Sequence, residues 1–211
     1  MIKLVAFDVN GTLFSDQGAF FEALNSIFDH FKKPRLSLGE LRKRFTQPWT
    51  KIYRESGITE ELASEKKLYE IYNVAYRAQP HPELSPGALH ALEWLREQRI
   101  PVVIISTQYN ELTEPLLKQR GLTDFFEELI GGVHDKSESL LGLAAERGFA
   151  PEEIAYIGDQ DSDVKFAFKA GCIPVAYTGG VHDRERLASA GAKMFLDNLG
   201  ELPKVFAKLI T

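Results

Sequence analysis

Apolar residues along this chain fall into two rhythms. Short apolar runs at residues 3–9, 101–106, 154–157 and 172–177 are bounded by Gly, Pro or polar positions, and the stretches between them repeat apolar residues at helical spacing. Unbroken runs of this kind suit strands buried on both faces, so the pattern predicts βαβ units: an α/β fold built on a doubly wound parallel sheet with helices on both sides. A weaker strand is predicted at Glu128-Leu-Ile-Gly131, ahead of a helix that begins near Lys136. Helix punctuation agrees. Ser85-Pro86 opens a segment carrying Leu89, Leu92, Trp94 and Leu95, while Gly121, Gly148 and Gly171 follow segments that read as helix ends.

Residues 17–82 break this alternation. They carry helical periodicity without a convincing strand, which predicts a helical insertion at 17–82 in a sheet domain made of residues 1–16 and 83–211. Pro34 is expected to stop its first helix, Ser37-x-x-Glu40 fits a capping box for a second, and Leu68, Ile71, Tyr72, Ala75 and Tyr76 form an apolar stripe on a third. That stripe is read as core packing rather than a ligand surface. Both crossings, near Phe14–Gly18 and Gln79–Pro86, contain Gly or Pro and read as hinges.

Composition narrows the function. The 211 residues are 44% hydrophobic, enough for a full core, and 25 Lys plus Arg against 30 Asp plus Glu give a formal charge of -5. This balance offers no general footprint for nucleic acid or an anionic membrane, so an anionic ligand needs a local site. Cys172 alone cannot build an internal disulfide framework and is read as a buried core residue. No signal-like start or membrane-length apolar run stands out, and a cytoplasmic protein is expected. The five histidines (30, 81, 90, 134 and 182) have no zinc-like spacing.

Chemistry gathers at two strand ends. The first strand runs straight into Asp8, followed by Val9-Asn10-Gly11-Thr12, and the strand Tyr156-Ile-Gly158 runs into Asp159-Gln-Asp161-Ser-Asp163. In open parallel sheets the carboxyl ends of the strands carry the ligand site. Asp161 and Asp163 also suit a plain helix-capping role. Two acid clusters at one sheet edge repel unless a cation lies between them, and hard carboxylate ligands suit Mg²⁺.

These stretches resemble the haloacid dehalogenase-like (HAD) hydrolases. Asp8-Val-Asn10-Gly11-Thr12 is similar to the Asp-x-Asp-Gly-Thr nucleophile motif, Ser106 at the end of its strand to the second motif, Lys136 to the third, and Asp159 with Asp163 to the Gly-Asp-x-x-x-Asp fourth. A helical cap between the first two motifs resembles the phosphoglycolate-phosphatase-like branch. The resemblance implies a Rossmann-like core with an inserted cap and a Mg²⁺-dependent phosphatase acting on a small phosphorylated metabolite. Asp8 would be the nucleophile that forms an aspartyl-phosphate. The metal would be held by Asp8, Asp159, Asp163 and the backbone carbonyl of Asn10. Gly11, Thr12, Ser106, Lys136 and the possible substitute Thr107 would receive the phosphoryl group. Specificity would lie in the cap, where the basic and aromatic segment Arg42–Arg54 is expected mainly to face water.

The departure is Asn10, which stands where the family carries its general acid and base. An amide keeps the carbonyl ligand and loses proton transfer, so the site is expected to be weakened unless His134, Asp135 or Asp161 substitutes. The Asn10-Gly11 pair also permits deamidation to Asp. Two alternatives stay open: a catalytically silent relative that binds a phosphorylated metabolite or a protein, and a 2-haloacid dehalogenase, a branch that also lacks this acid.

Overall fold

A computed structural model describes residues 1–210. In chain order the elements are β1 (Leu4–Phe7), β2 (Phe14–Ser15), α1 (Gln17–His30), α2 (Leu38–Arg44), α3 (Lys51–Glu55), α4 (Glu65–Arg77), β3 (Glu83–Leu84), α5 (Ala88–Glu97), β4 (Val102–Ile105), α6 (Asn110–Gln119), β5 (Glu128–Ile130), α7 (Lys136–Arg147), β6 (Ile154–Gly158), α8 (Asp161–Lys169), β7 (Ile173–Tyr177), α9 (Arg184–Ser189), β8 (Met194–Leu196) and α10 (Leu202–Ile210). Backbone contacts separate two compact units. One comprises Met1–Ser15 with the described residues from Glu83 onward, and the other is Asp16–Pro82.

The first unit is built on a six-stranded sheet of order β5-β4-β1-β6-β7-β8 in which every pair is parallel. Its fold is α/β and doubly wound, as the apolar runs predict. Successive side chains of a strand point to opposite faces, and each face is covered. Leu4, Ala6, Val103, Ile105, Ile154 and Tyr156 pack with Leu140, Leu143 and Ala144 of α7 and Ala167 of α8. Val5, Phe7, Ile104, Ala155 and Ile157 pack with Leu92 of α5, Leu116 of α6 and Phe206 of α10. From β1 the chain builds outward first through β4 and β5, then on the other side through β6, β7 and β8. The order therefore reverses at β1, the kind of position where open α/β sheets leave a ligand crevice.

Three details differ from the sequence pattern. β8 completes the sheet edge, and β2 pairs antiparallel with β3 through Phe14↔Leu84 and Ser15↔Glu83. Strands of two or three residues are too short to show a period. Helix α5 starts at Ala88, after a turn at Ser85–Gly87, rather than at Ser85-Pro86.

The second unit holds four helices. The capping box at the start of α2 is present: Ser37 Oγ accepts from Glu40 N at 3.2 Å, and Glu40 Oε2 accepts from Ser37 N at 2.8 Å. Helix α1 ends at His30, earlier than Pro34, because Lys32 turns left-handed (φ 53°) and Lys33 N closes on Phe28 O. Leu68, Tyr72 and Tyr76 of α4 are buried. Much of the Arg42–Arg54 segment is structural: Arg54 donates to the carbonyls of Ile58, Thr59 and Ala63, while Trp49 packs against Tyr53 and Tyr72.

Candidate active site

Strand register brings the acids together. Phe7 lies opposite Ile104 of β4 and Ile157 of β6, so Asp8 leaves β1 beside the ends of both neighbours, with its N–H donating to Ile157 O at 2.9 Å. Asp8 continues the Leu4–Ala6 alternation toward the face that α7 covers. Lys136 is the first residue of α7, where a cation opposes the helix dipole, and Asp163 lies in the first turn of α8, where an acid complements it.

The result is a buried charge cluster. Lys136 Nζ donates to Asp8 Oδ1 at 2.9 Å, to Asp163 Oδ1 at 2.7 Å and to Tyr156 OH at 2.6 Å. Asp163 also performs the capping role: its Oδ2 accepts from Gln160 N at 3.0 Å. Asp159 is held by Thr12 Oγ1 at 2.9 Å and Val181 N at 2.7 Å. Two glycines make room for it. A Cβ on Gly11 (φ 73°) would stand 2.5 Å from Asp159 Oδ2, and one on Gly180 would stand 2.2 Å from the same atom.

Three carboxylates thus cluster where one ammonium contacts two of them. Burial opposes the Lys136 charge, but Asp163 and Asp8 outweigh it and raise its pKa, so Lys136 stays protonated. Asp159 is pushed well above the usual carboxylate range, first by burial and then by the charges of Asp8 and Asp163. Asp163 is also raised, by burial and Asp8, against the downward pull of Lys136. Oxygens of Asp8, Asp159 and Asp163 all lie within 4.8 Å of one another. A buried, all-oxygen donor set with surplus negative charge fits a hard divalent cation.

The other expected residues are distributed as follows. Ser106 is buried just past β4, and its Oγ accepts from Gln108 N at 3.2 Å, leaving the hydroxyl proton available to a ligand. Thr107 is half-buried one residue on. Asn10 is half-buried, and its main chain bridges Phe14. Thr12, expected to receive phosphoryl oxygens, directs its hydroxyl to Asp159 and its N–H to Val9 O at 3.3 Å. Asp135 caps α7 through Ser137 N at 3.0 Å and pairs with Lys169, while Asp161 pairs with Lys165 and Arg186. His134 is exposed. Cys172 is buried and its thiol is pushed up to about 11, mainly by burial, so it stays protonated at neutral pH.

Two contributors lie outside the motif pattern. Tyr156 reaches Lys136, and the Gly180–His182 loop closes on Asp159, with His182 Nδ1 accepting from Asp161 N at 2.9 Å. The sequence signal for the loop is Gly179-Gly180, one residue beyond the end of β7, at the sheet edge that carries the acids. Cavities of about 310 and 420 Å³ open at the opposite edge, around Arg99, Ile100 and Pro101, away from this chemistry.

Fold and site together define an α/β protein with a carboxylate–lysine centre at the carboxyl edge of its parallel sheet. Residues 5–177 match the family described as haloacid dehalogenase-like hydrolase, and the chain belongs to that family. It is similar to a phosphoglycolate phosphatase of Chromobacterium violaceum, 30% identical over 95% of both chains. Phosphoglycolate phosphatase 1 of Pseudomonas aeruginosa is 26% identical over 95% of this chain and 78% of its own. The fold matches the crystal structure of a hydrolase from Pseudomonas syringae at a TM-score of 0.83 with 23% identity, covering 98% and 99% of the two chains. No helix among the described residues is long and apolar enough to cross a membrane.

Proposed function

We propose that this chain is a Mg²⁺-dependent phosphatase that hydrolyses a small phosphorylated metabolite through an aspartyl-phosphate on Asp8. The observation that carries the reading is the buried cluster in which Lys136 joins Asp8 to Asp163 while Asp159 lies within metal-ligand reach of both. Phosphoric monoester hydrolysis is the chemistry that uses these parts together. An Asp8 oxygen attacks phosphorus in line, the bond to the leaving oxygen breaks, and water then cleaves the acyl-phosphate and returns Asp8. Lys136 and the Ser106 hydroxyl balance charge on the transferring oxygens, and Gly11 and Thr107 border the phosphoryl site. Thr12 acts from behind by fixing Asp159. Mg²⁺, held by Asp8, Asp159, Asp163 and the Asn10 carbonyl, would supply charge neutralisation for the nucleophile and phosphoryl group. Residues 17–82, the inserted helical cap, would set specificity, and the relatives' names favour a short phosphorylated hydroxy acid.

Asn10 sets the rate. Asp135 and Asp161 are engaged by Lys169, Lys165 and Arg186, and His134 is exposed, so none of the three is held at the buried cluster for the proton-transfer role. A positioned general acid and base contributes typically about 10²- to 10⁴-fold, so activated acyl or aryl phosphates are turned over best. Phosphate release from an aryl phosphate tests the proposal, with residue 10 checked by peptide mass. Asn10→Asp should gain about 10²- to 10⁴-fold, Asp8→Ala should fall to background, and both the parent and Asn10→Asp should require Mg²⁺. Turnover that survives Asp8→Ala or chelation of the metal sinks the reading.

A further inference from the structure

We propose that Tyr156 is a positioning residue that aims the Lys136 ammonium, an inference that rests on the phosphatase reading. An ammonium has three donors and no acceptor. All three of its protons have partners here: Asp8 Oδ1 at 2.9 Å, Asp163 Oδ1 at 2.7 Å and Tyr156 OH at 2.6 Å. The tyrosine oxygen must therefore accept from Lys136. Its own proton then goes to Ile105 O at 3.0 Å, the shorter of its two acceptor contacts, with Asp163 Oδ1 at 3.3 Å. Lys136 Nζ lies 5.3 Å from the ring centroid, so it addresses the hydroxyl at the ring edge rather than the π face.

This buried hydroxyl ties the start of α7 and the first turn of α8 to the last residue of β4, one position before Ser106. Its neutrality matters. When Asp8 turns toward phosphorus, Lys136 must offer that proton to a phosphoryl oxygen, and a lysine stem is flexible. Asp163 and Tyr156 hold the ammonium in place through the exchange. An uncharged acceptor fixes its direction without cancelling the charge that the phosphoryl group meets.

Tyr156→Phe keeps the ring packed among Leu4, Ala6 and Leu140 and removes only the hydroxyl. In the Asn10→Asp background, kcat on an aryl phosphate should fall about 10- to 100-fold, the worth of a hydrogen bond to a charged group. KM should change less than about threefold, because the aim of Lys136 matters most where charge on the phosphoryl oxygens is greatest, in the transition state. Orthovanadate, which mimics the in-line geometry, should bind weaker by the factor lost in kcat, while inorganic phosphate binds as before. A purely structural role would lower the melting temperature and leave kcat and the vanadate-to-phosphate ratio unmoved, and that result overturns the inference. If neither the parent nor Asn10→Asp releases phosphate, the phosphatase reading fails, and the vanadate-to-phosphate ratio still decides the role of Tyr156.

Discussion

The buried polar groups of the two units are balanced differently. In the Asp16–Pro82 unit Asn25, Tyr53 and Tyr76 each meet a partner. Asn25 accepts from Leu36 N at 2.9 Å and donates to Leu36 O at 3.1 Å, Tyr53 OH donates to Leu24 O at 3.2 Å, and Tyr76 OH donates to Asp16 Oδ2 at 2.8 Å. Around them Phe20 and Phe45 meet edge to face at 5.0 Å, and Tyr72 stacks on Tyr76 at 5.6 Å. At the sheet edge of the other unit, Asp8, Asp159 and Asp163 crowd one another while one ammonium, Lys136, contacts two of them, and two of the three acids are driven to raised pKa values. Satisfied polar groups stabilise a fold. An unbalanced charge cluster costs stability, and such clusters concentrate at functional sites.

Three measurements sharpen this contrast. The largest effect on stability belongs to the aromatic interior: Tyr53→Ala should cost about 3–5 kcal/mol in denaturant unfolding. Mg²⁺ binding at the sheet edge should be unchanged in the fraction that stays folded, and a lost metal response would show that the two units are not separable in this way.

The next effect is smaller and runs the other way. Folded-state pKa values of Asp159 and Asp163 lie above their unfolded values, so the metal-free protein loses stability as pH rises from the ordinary carboxylate range through the raised values. Mg²⁺ should restore it, by about 2.7 kcal/mol at a hundredfold excess over its Kd, or roughly 5–10 °C in melting temperature at pH 7, and by less at pH 5. Asp159→Asn should abolish that response and raise the metal-free melting temperature. An equal Mg²⁺ response at both pH values would break the account of an unbalanced cluster. Smallest is Ser37→Ala, which removes one half of the α2 capping box and should cost about 1 kcal/mol in thermal unfolding without changing the metal response.

The legibility of the chain follows the range of the interactions concerned. β1, β4, β6 and β7 showed as apolar runs because both faces of each strand are buried, and the α2 cap showed because its partners are three residues apart. The pairing of β2 with β3 and the edge strand β8 did not show, since a two- or three-residue strand takes its conformation from a distant neighbour. Asp163 shows the limit from the other side. The pattern left helix capping and ligand binding as alternatives, while in three dimensions one oxygen caps Gln160 N and the other meets Lys136.

The sequence by itself determined the central strands of the sheet, the inserted helical stretch and the candidate side chains, because these follow from local burial patterns and from the chemistry of carboxylate, amine and hydroxyl. Only the tertiary structure decided which of them lie together. Asp8 and Lys136 are 128 positions apart, and Thr12 and Asp159 are 147 apart. The parallel register of β1, β4 and β6 brings these groups to one edge, and the loop after β7 closes over Asp159 there. The hydroxyl of Tyr156, an ordinary core aromatic in the sequence, becomes a partner of the charged centre because β6 runs beneath it.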